Sequence, residues 1–260
     1  NAAGVYTYNK DDGAVNGVGR GDKTVQYRNS FGDVSFAIQT QLKNSSFYTC
    51  DTTEEISQAD CEQEFVGGAK EAQKVDFDYT YGGSITYQVT DMLSLTAGVN
   101  RGEFDVTFGN GEQTTAIDLI YGAGVTWGNF ENEGFYAAAN VNKQENHDTD
   151  NLGRLIKDAY GVETLVSYKF DNGLRPFVSY NILDAGDDYV IQPNFNADPN
   201  DVFKRQFVVV GLHYVWDTNT VLYVEGRKDF SDFTSADKAQ EARMSMSEED
   251  GIAIGVRYTL

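Results

Sequence analysis

The sequence predicts an all-β protein, an antiparallel up-and-down sheet of about eleven strands. Three observations carry this. Large apolar residues alternate with small or polar ones over long stretches, and that two-residue period fits strands where helical spacing does not. The 260 residues include 16 Tyr, 16 Phe and 26 Gly but only 3 Pro, a mix suited to many strands and tight turns. The segments between the alternating runs are short and long by turns, as in a meander whose two ends differ.

The predicted strands lie near residues 19–30, 33–44, 75–90, 92–104, 115–127, 134–146, 159–171, 173–184, 203–217, 219–230 and 250–260. In the first, Arg20, Asp22, Gln26 and Arg28 share one face. In "VSFAIQTQL", Val34, Phe36, Ile38 and Leu42 oppose Ser35, Ala37, Gln39 and Gln41. In "FDYTYGGSITYQV", Phe77, Tyr79, Tyr81, Ile85, Tyr87 and Val89 share a face, and Asp78, Thr80, Ser84, Thr86 and Gln88 the other. "AIDLIYGAGVTW" places Ile117, Leu119, Tyr121, Val125 and Trp127 together, and "FYAAANVN" does the same with Phe135, Ala137, Ala139 and Val141. The last strand, "GIAIGVRYTL", sets Ile252, Ile254, Val256, Tyr258 and Leu260 against Arg257. Short connections such as "SFGD", "VTDM", "DNG" and "DTNT" alternate with long ones at 45–74, 105–114, 147–158, 185–202 and 231–249. The chain reads as one domain, 1–260.

The formal net charge is −20. No basic stripe is present for phosphate contacts, so nucleic acid is not an expected partner. No apolar run is long enough for a membrane-crossing helix, and no segment has the form of a secretory signal, which leaves a mature chain or a fragment. The two cysteines, Cys50 and Cys61, lie in one polar loop and suggest a local disulfide formed in an oxidising compartment. With only His147 and His213 beside them, no zinc site and no other cofactor is expected.

The alternation points to lipid. The strands run to roughly 10–13 residues, longer than globular strands and long enough to cross a bilayer when tilted. Their second face carries Ser, Thr, Gln, Asn, Gly and charges, as a watery lumen would. Aromatics fall at strand ends, among them Phe31, Tyr48, Phe104, Trp127, Phe130, Phe135, Phe170, Trp216 and Phe230, as in the interfacial girdles of an outer-membrane barrel. Backbone groups in hydrocarbon need partners, so such strands close into a barrel.

The stretches "GRGDKTVQYRNSFGDVSFAIQTQLKN", "GGSITYQV", "LVSYKFDNGLRPFVSYN" and the terminal "IGVRYTL" resemble the general porins of Gram-negative outer membranes, most closely a Vibrio- or Shewanella-like branch. The resemblance implies a transmembrane antiparallel up-and-down β-barrel of sixteen strands. It also implies a homotrimer with an inward-folded third loop, contact with outer-membrane lipid and lipopolysaccharide, and delivery by the barrel-assembly machinery. About eleven strands are present here; an even count is usual. Residues 1–18 are therefore expected to be the tail of the constriction loop, with the preceding strands lacking.

The resemblance places Arg20 at the wall arginine of the pore constriction. Arg28 and Asp22 share its parity, while Asp11 and Asp12 read as solvated loop residues. Asp78, Asp118, Glu163, Lys169, Arg175, Glu225, Arg227 and Arg257 also have lumen parity, since a charge facing lipid is costly. Val256, Tyr258 and Leu260 match the assembly signal of the last strand, although the family usually ends in Phe.

The function implied is passive diffusion of ions and small hydrophilic solutes, with the acidic loops favouring cations. A selective oligosaccharide channel is the alternative, and a phage or host-factor receptor a secondary use of the loops. Lumen-parity aromatics are few: Tyr136, Phe177 and Tyr223. An enzyme is not expected, because neither histidine sits in a nucleophile motif. His213 reads as a wall residue, and "ENHDTD" as a solvated loop.

Overall fold

The computed structural model describes residues 24–42, 46–50, 58–69, 72–148, 156–187, 202–233 and 250–259. Its elements are β1 (Thr24–Phe31), β2 (Val34–Gln41), β3 (Phe47–Cys50), α1 (Gln58–Val66), β4 (Ala72–Gln88), β5 (Leu93–Phe108), β6 (Gln113–Trp127), β7 (Gly134–Glu145), β8 (Asp158–Lys169), β9 (Leu174–Asp187), β10 (Val202–Val215), β11 (Thr220–Asp229), β12 (Asp232–Phe233) and β13 (Gly251–Tyr258). Eleven strands follow one another in a single sheet in chain order, from β1 through β2, β4 and onward to β13; β3 pairs β4 and β12 pairs β10 beside this path. The pairings are antiparallel. Among the described residues no pairing joins β1 to β13.

The eleven strands of the path correspond one by one to the predicted runs. The connections differ at three places, the smallest being β12, which lies in the expected long loop 231–249 and pairs β10. Residues 45–74, expected to be a loop, contain β3 and α1. β3 extends the sheet by pairing Phe47–Cys50 with Ala72–Val75. The helix lies against it through Tyr48, Cys61, Phe65, Ala69 and Ala72, with the Tyr48 and Phe65 rings 5.5 Å apart. The expected long loop 105–114 is instead a tight turn at 109–112, because β5 and β6 stay paired as far as Thr107 and Gln113.

Outside the bulges, register assigns the strand side chains to a face. One face carries Tyr27, Ile38, Ile85, Leu95, Val125, Val141, Val166, Val210, Leu212, Ile252, Ile254 and Tyr258, all exposed. Ile252 and Ile254 are 75% and 81% exposed, values that make no sense for isoleucine in contact with water over a continuous sheet. Near the short turns this face ends in exposed aromatics: Phe31, Tyr87, Trp127, Phe135, Tyr168, Phe170, Tyr214, Trp216 and Tyr258. Toward the long connections, Tyr79, Tyr81, Tyr121, Tyr160 and Phe230 form a second band. Within and around that band the same face turns ionic. Arg101 donates to the Tyr81 hydroxyl at 3.2 Å and pairs with Glu103 at 3.0 Å, Lys74 pairs with Asp76 at 2.7 Å, and Lys228 with Asp250 at 2.6 Å.

The other face is the inner one. Its side chains include buried Asn100, Asp118, Gln144, Ser167, Arg175, Ser179, His213 and Glu225. It is not polar throughout. Val75, Phe104, Val106 and Phe108 form a buried cluster on it toward the long connections, as do Ile156, Ala159, Leu183, Ala185 and Phe203. Phe104 is therefore no girdle residue; it is buried and paired with Ala116. Phe130 and Tyr48 also leave the expected girdle, the first packing on Tyr136 and the second on α1.

Candidate functional site

Most charged side chains of the inner face collect on β8–β13, with Arg28 on β1 and Asp118 on β6 apart from them. They stand in register because neighbouring antiparallel strands place paired residues on the same side. Arg175 on β9 is paired with His213 on β10, which is paired with Tyr223 on β11. One step toward the long connections, Phe177 is paired with Gly211, and Gly211 with Glu225. A side chain at Gly211 would meet the Phe177 ring at 2.4 Å. The glycine lets that ring lie flat across β10, where it packs on His213 with centroids 4.7 Å apart. His213 Nε2 and Glu225 Oε1 are 2.8 Å apart, with both side chains buried. Arg227 pairs with Asp229 and lies 4.4 Å from the Phe207 ring centroid.

Arg175 is sealed from below. The turn between β6 and β7 folds under the inner face, placing the Phe130 ring 3.9 Å from the Arg175 guanidinium carbon. Glu131 Oε2 is 3.8 Å from Arg175 Nη2, and Lys169 Nζ donates to the Glu131 carbonyl at 2.6 Å. Arg175 Nε and Nη2 are buried with no hydrogen-bond partner.

Of the predicted wall charges, Arg28, Asp118, Glu163, Lys169, Arg175, Glu225, Arg227 and Arg257 all fall on the inner face by register. Arg28 is exposed and donates through Nε to Gln26 Oε1. Asp118 is fully buried and bonded to His147 Nδ1 at 2.7 Å. Asp78 sits where one extra residue between Phe77 and Thr80 makes a bulge, so alternation by itself does not fix its side. His147 departs from the expectation, since it is buried and not a solvated loop residue. Arg20, Asp22, Asp11, Asp12, the 1–18 segment and Leu260 lie outside the described residues. Cys61 is disulfide-bonded, and the chain's other cysteine is Cys50. Val256 and Tyr258 stand exposed on the outer face of β13.

Sequence reading missed the partners more than the residues. His213–Glu225, His147–Asp118 and Arg175–Phe130 each join positions separated in sequence, brought together by register in the first and by a strand end or a folded-in turn in the others. Asp229 and Glu131 gave no signal, one closing a strand and the other sitting in a turn. Among the described residues no group of three His, Cys, Asp or Glu side chains is placed to hold a metal.

No protein-family model matches the chain. It is 30% identical over 250 residues to outer membrane porin C of Enterobacter cloacae, covering 92% of this chain and 60% of that protein. Its identity to outer membrane porin C of Salmonella typhimurium is 28% over 266 residues, covering 92% and 61%. The chain thus spans about three fifths of the length of the curated relatives it matches. Among solved structures, Salmonella typhi OmpF in complex with daunomycin aligns with a TM-score of 0.57 at 20% identity, over 90% of this chain and 61% of that one. The outer membrane channel DcaP of Acinetobacter baumannii aligns with a TM-score of 0.56 at 14% identity, over 90% and 60%. The chain is related in sequence to outer-membrane porins and shares their sheet.

Proposed function

We propose that the chain is part of the wall of a water-filled outer-membrane pore that passes ions and small hydrophilic solutes by passive diffusion. One observation carries this reading: a single sheet with an exposed apolar outer face, banded by aromatics at both ends, and an inner face of amides and charges. Lipid stabilises the first face and water the second. The relationship to outer membrane porin C agrees with it.

The finer features follow the same logic. The net charge of −20 supports a mild preference for cations. Outward Lys74, Arg101, Lys143 and Lys228, in and around the upper aromatic band, suit the phosphates of lipopolysaccharide. Exposed Val256 and Tyr258 on the terminal strand suit recognition by the assembly machinery. The family resemblance supports a homotrimer of the marine branch, with Arg20, Asp22 and Arg28 near the constriction and the remaining inner-face charges along the wall.

Planar-bilayer recording of the full-length protein tests this. The expected result is ohmic steps closing in threes, with a reversal potential favouring potassium over chloride. Absence of conductance from folded, membrane-inserted protein overturns the reading, and an anion-favouring potential overturns the selectivity.

A further inference from the structure

The charges of the inner face are sparse in its first half, where Arg28 ends one row on β1 and Asp118 is buried on β6. Across β1–β7 the wall holds a concavity of about 480 Å³, and none of the side chains lining it is charged. In a chain with 60 ionisable acids and bases among Asp, Glu, Lys and Arg (40 and 20), that gap is a feature of the site. Its volume lies in the range of small-molecule sites.

Register explains the shape. One row of paired residues runs Arg28, Ala37, Ser84, Gly98, Gly122, Asn142 across β1, β2, β4, β5, β6 and β7. From Ala37 to Gly122 no side chain in the row is larger than serine, which leaves a trough about 14 Å long across four strands. Gln39 and Asn100 stand in the row on one side, Thr96 and Asn140 in the row on the other. Gln26 Nε2 donates to Gln39 Oε1 at 2.9 Å, tying the two amides together.

Two of the amides are seated on glycine. Asn100 is paired with Gly82, where an added Cβ would meet its Oδ1 at 2.5 Å; Asn142 is paired with Gly161, where an added Cβ would meet its Nδ2 at 2.7 Å. Each asparagine lies flat on a bare stretch of the neighbouring strand and is held there. Asn100 is 5% exposed, and neither its Nδ2 nor its Oδ1 has a partner. A buried amide with both ends unmet calls for a group that donates and accepts.

We propose that this amide-walled trough is a binding site for a neutral, hydroxyl-rich solute, a short oligosaccharide chain. The proposal rests on the channel reading, since a solute reaches this wall through the lumen. A hydroxyl both donates and accepts, so it matches carboxamides on either side, whereas an ion would be desolvated here without a counter-charge. The bare floor lets a ring lie close to the sheet. Recognition is by hydrogen bonding along the amides.

Gly98 offers the test. A Cβ there makes only ordinary contacts, 3.5 Å from Gly83 O and Ser84 Cβ, so Gly98→Leu fills the trough without forcing the wall apart. Maltotriose is the neutral probe, and triaspartate and trilysine are the charged comparators. In single-channel recordings, maltotriose should interrupt the wild-type current. Gly98→Leu should raise the half-blocking concentration about tenfold or more while ions still pass. Ala37→Leu, in the same row, repeats the test if Gly98→Leu does not fold. Conducting channels that maltotriose never blocks, or blocks equally in the filled variants, overturn the proposal. So does block by the charged comparators that is equally sensitive to Gly98→Leu. Saturation-transfer NMR of maltotriose on the detergent-solubilised full-length protein separates the two readings. Transfer in wild type that is lost in Gly98→Leu supports the trough even if no current is seen, in which case the channel reading alone fails. Absence of transfer overturns the trough whatever the conductance.

Discussion

His147 Nδ1 lies 2.7 Å from Asp118 Oδ1, and the side chains are 1% and 0% exposed. The residues are 29 positions apart. Asp118 sits in the middle of β6, while His147 follows the end of β7. The pair therefore fixes the start of the β7–β8 connection against the neighbouring hairpin. Asn146, held at φ 52°, adds a second tie through its Nδ2 to the Ile117 carbonyl at 2.8 Å.

Breaking the pair should be costly. Asp118→Ala or His147→Ala leaves a buried polar partner unmet, worth about 1–3 kcal/mol of coupling in a double-mutant cycle. Urea unfolding of the folded protein in detergent, followed by tryptophan fluorescence, measures it. Additive single effects would show that the contact contributes nothing beyond its parts.

Acid should loosen the β10–β11 turn. The Asp217 carboxylate accepts the backbone N–H groups of Asn219 and Thr220 at 2.8 and 2.7 Å, and these bonds, chiefly that from Asn219, hold its pKa below the ordinary 3.8. A depressed folded-state pKa gives stability that is full above the unfolded value and lost as pH falls through the folded one. Asp217→Ala should therefore lower the urea midpoint at neutral pH and converge with wild type as the pH falls through the depressed folded-state value. A constant gap across that range would assign the effect to something other than ionisation.

The two-residue period was readable because the outer face repeats it on nearly every strand, and lipid admits few exceptions. It misled where its sense reverses. Past Phe104 the alternation continues as Val106 and Phe108, but these apolar residues point inward, and Asp105 and Thr107 outward. Taking apolar as outward ends the strand too early and turns its tip into a loop. The bulge at Phe77 was hidden for a related reason: Tyr79 and Tyr81 carry the pattern through the extra residue. α1 had no apolar period to show, since its nine residues are mostly polar and acidic. Among the wall charges the sequence showed the side but not the partners, because partners depend on register across strands.

The disulfide should act locally. It would tie β3 to α1 across a short polar segment, close to the contact of Tyr48 with Phe65. The expected pairing is Cys50 with Cys61, the two cysteines of the chain. Cys50→Ser should remove the two-proton mass gain on reduction and speed amide exchange in α1 by a factor matching about 2–4 kcal/mol. Exchange in β8–β11 should stay unchanged, since the helix packs chiefly on β3 and β4. A global fall in protection would mean that the bond stabilises the whole sheet.

The β6–β7 turn should depend on a planar cation. Phe130 lies under the Arg175 guanidinium at 3.9 Å and edge-on to Tyr136 at 5.2 Å, so removing the ring exposes a buried charge and frees the turn. A stacked guanidinium contributes about 0.5–2 kcal/mol. Phe130→Ala should thus raise amide exchange at residues 129–133 roughly 2- to 30-fold. Arg175→Lys keeps the charge but not the flat face or the fork of donors. It should behave more like Phe130→Ala than like wild type. The Asp217 turn on β10–β11 is the internal control, because it is held by Asp217's own bonds to Asn219 and Thr220 and should exchange at the wild-type rate in both variants. Full protection of the turn in Arg175→Lys would show that charge alone, through Glu131, holds it in place.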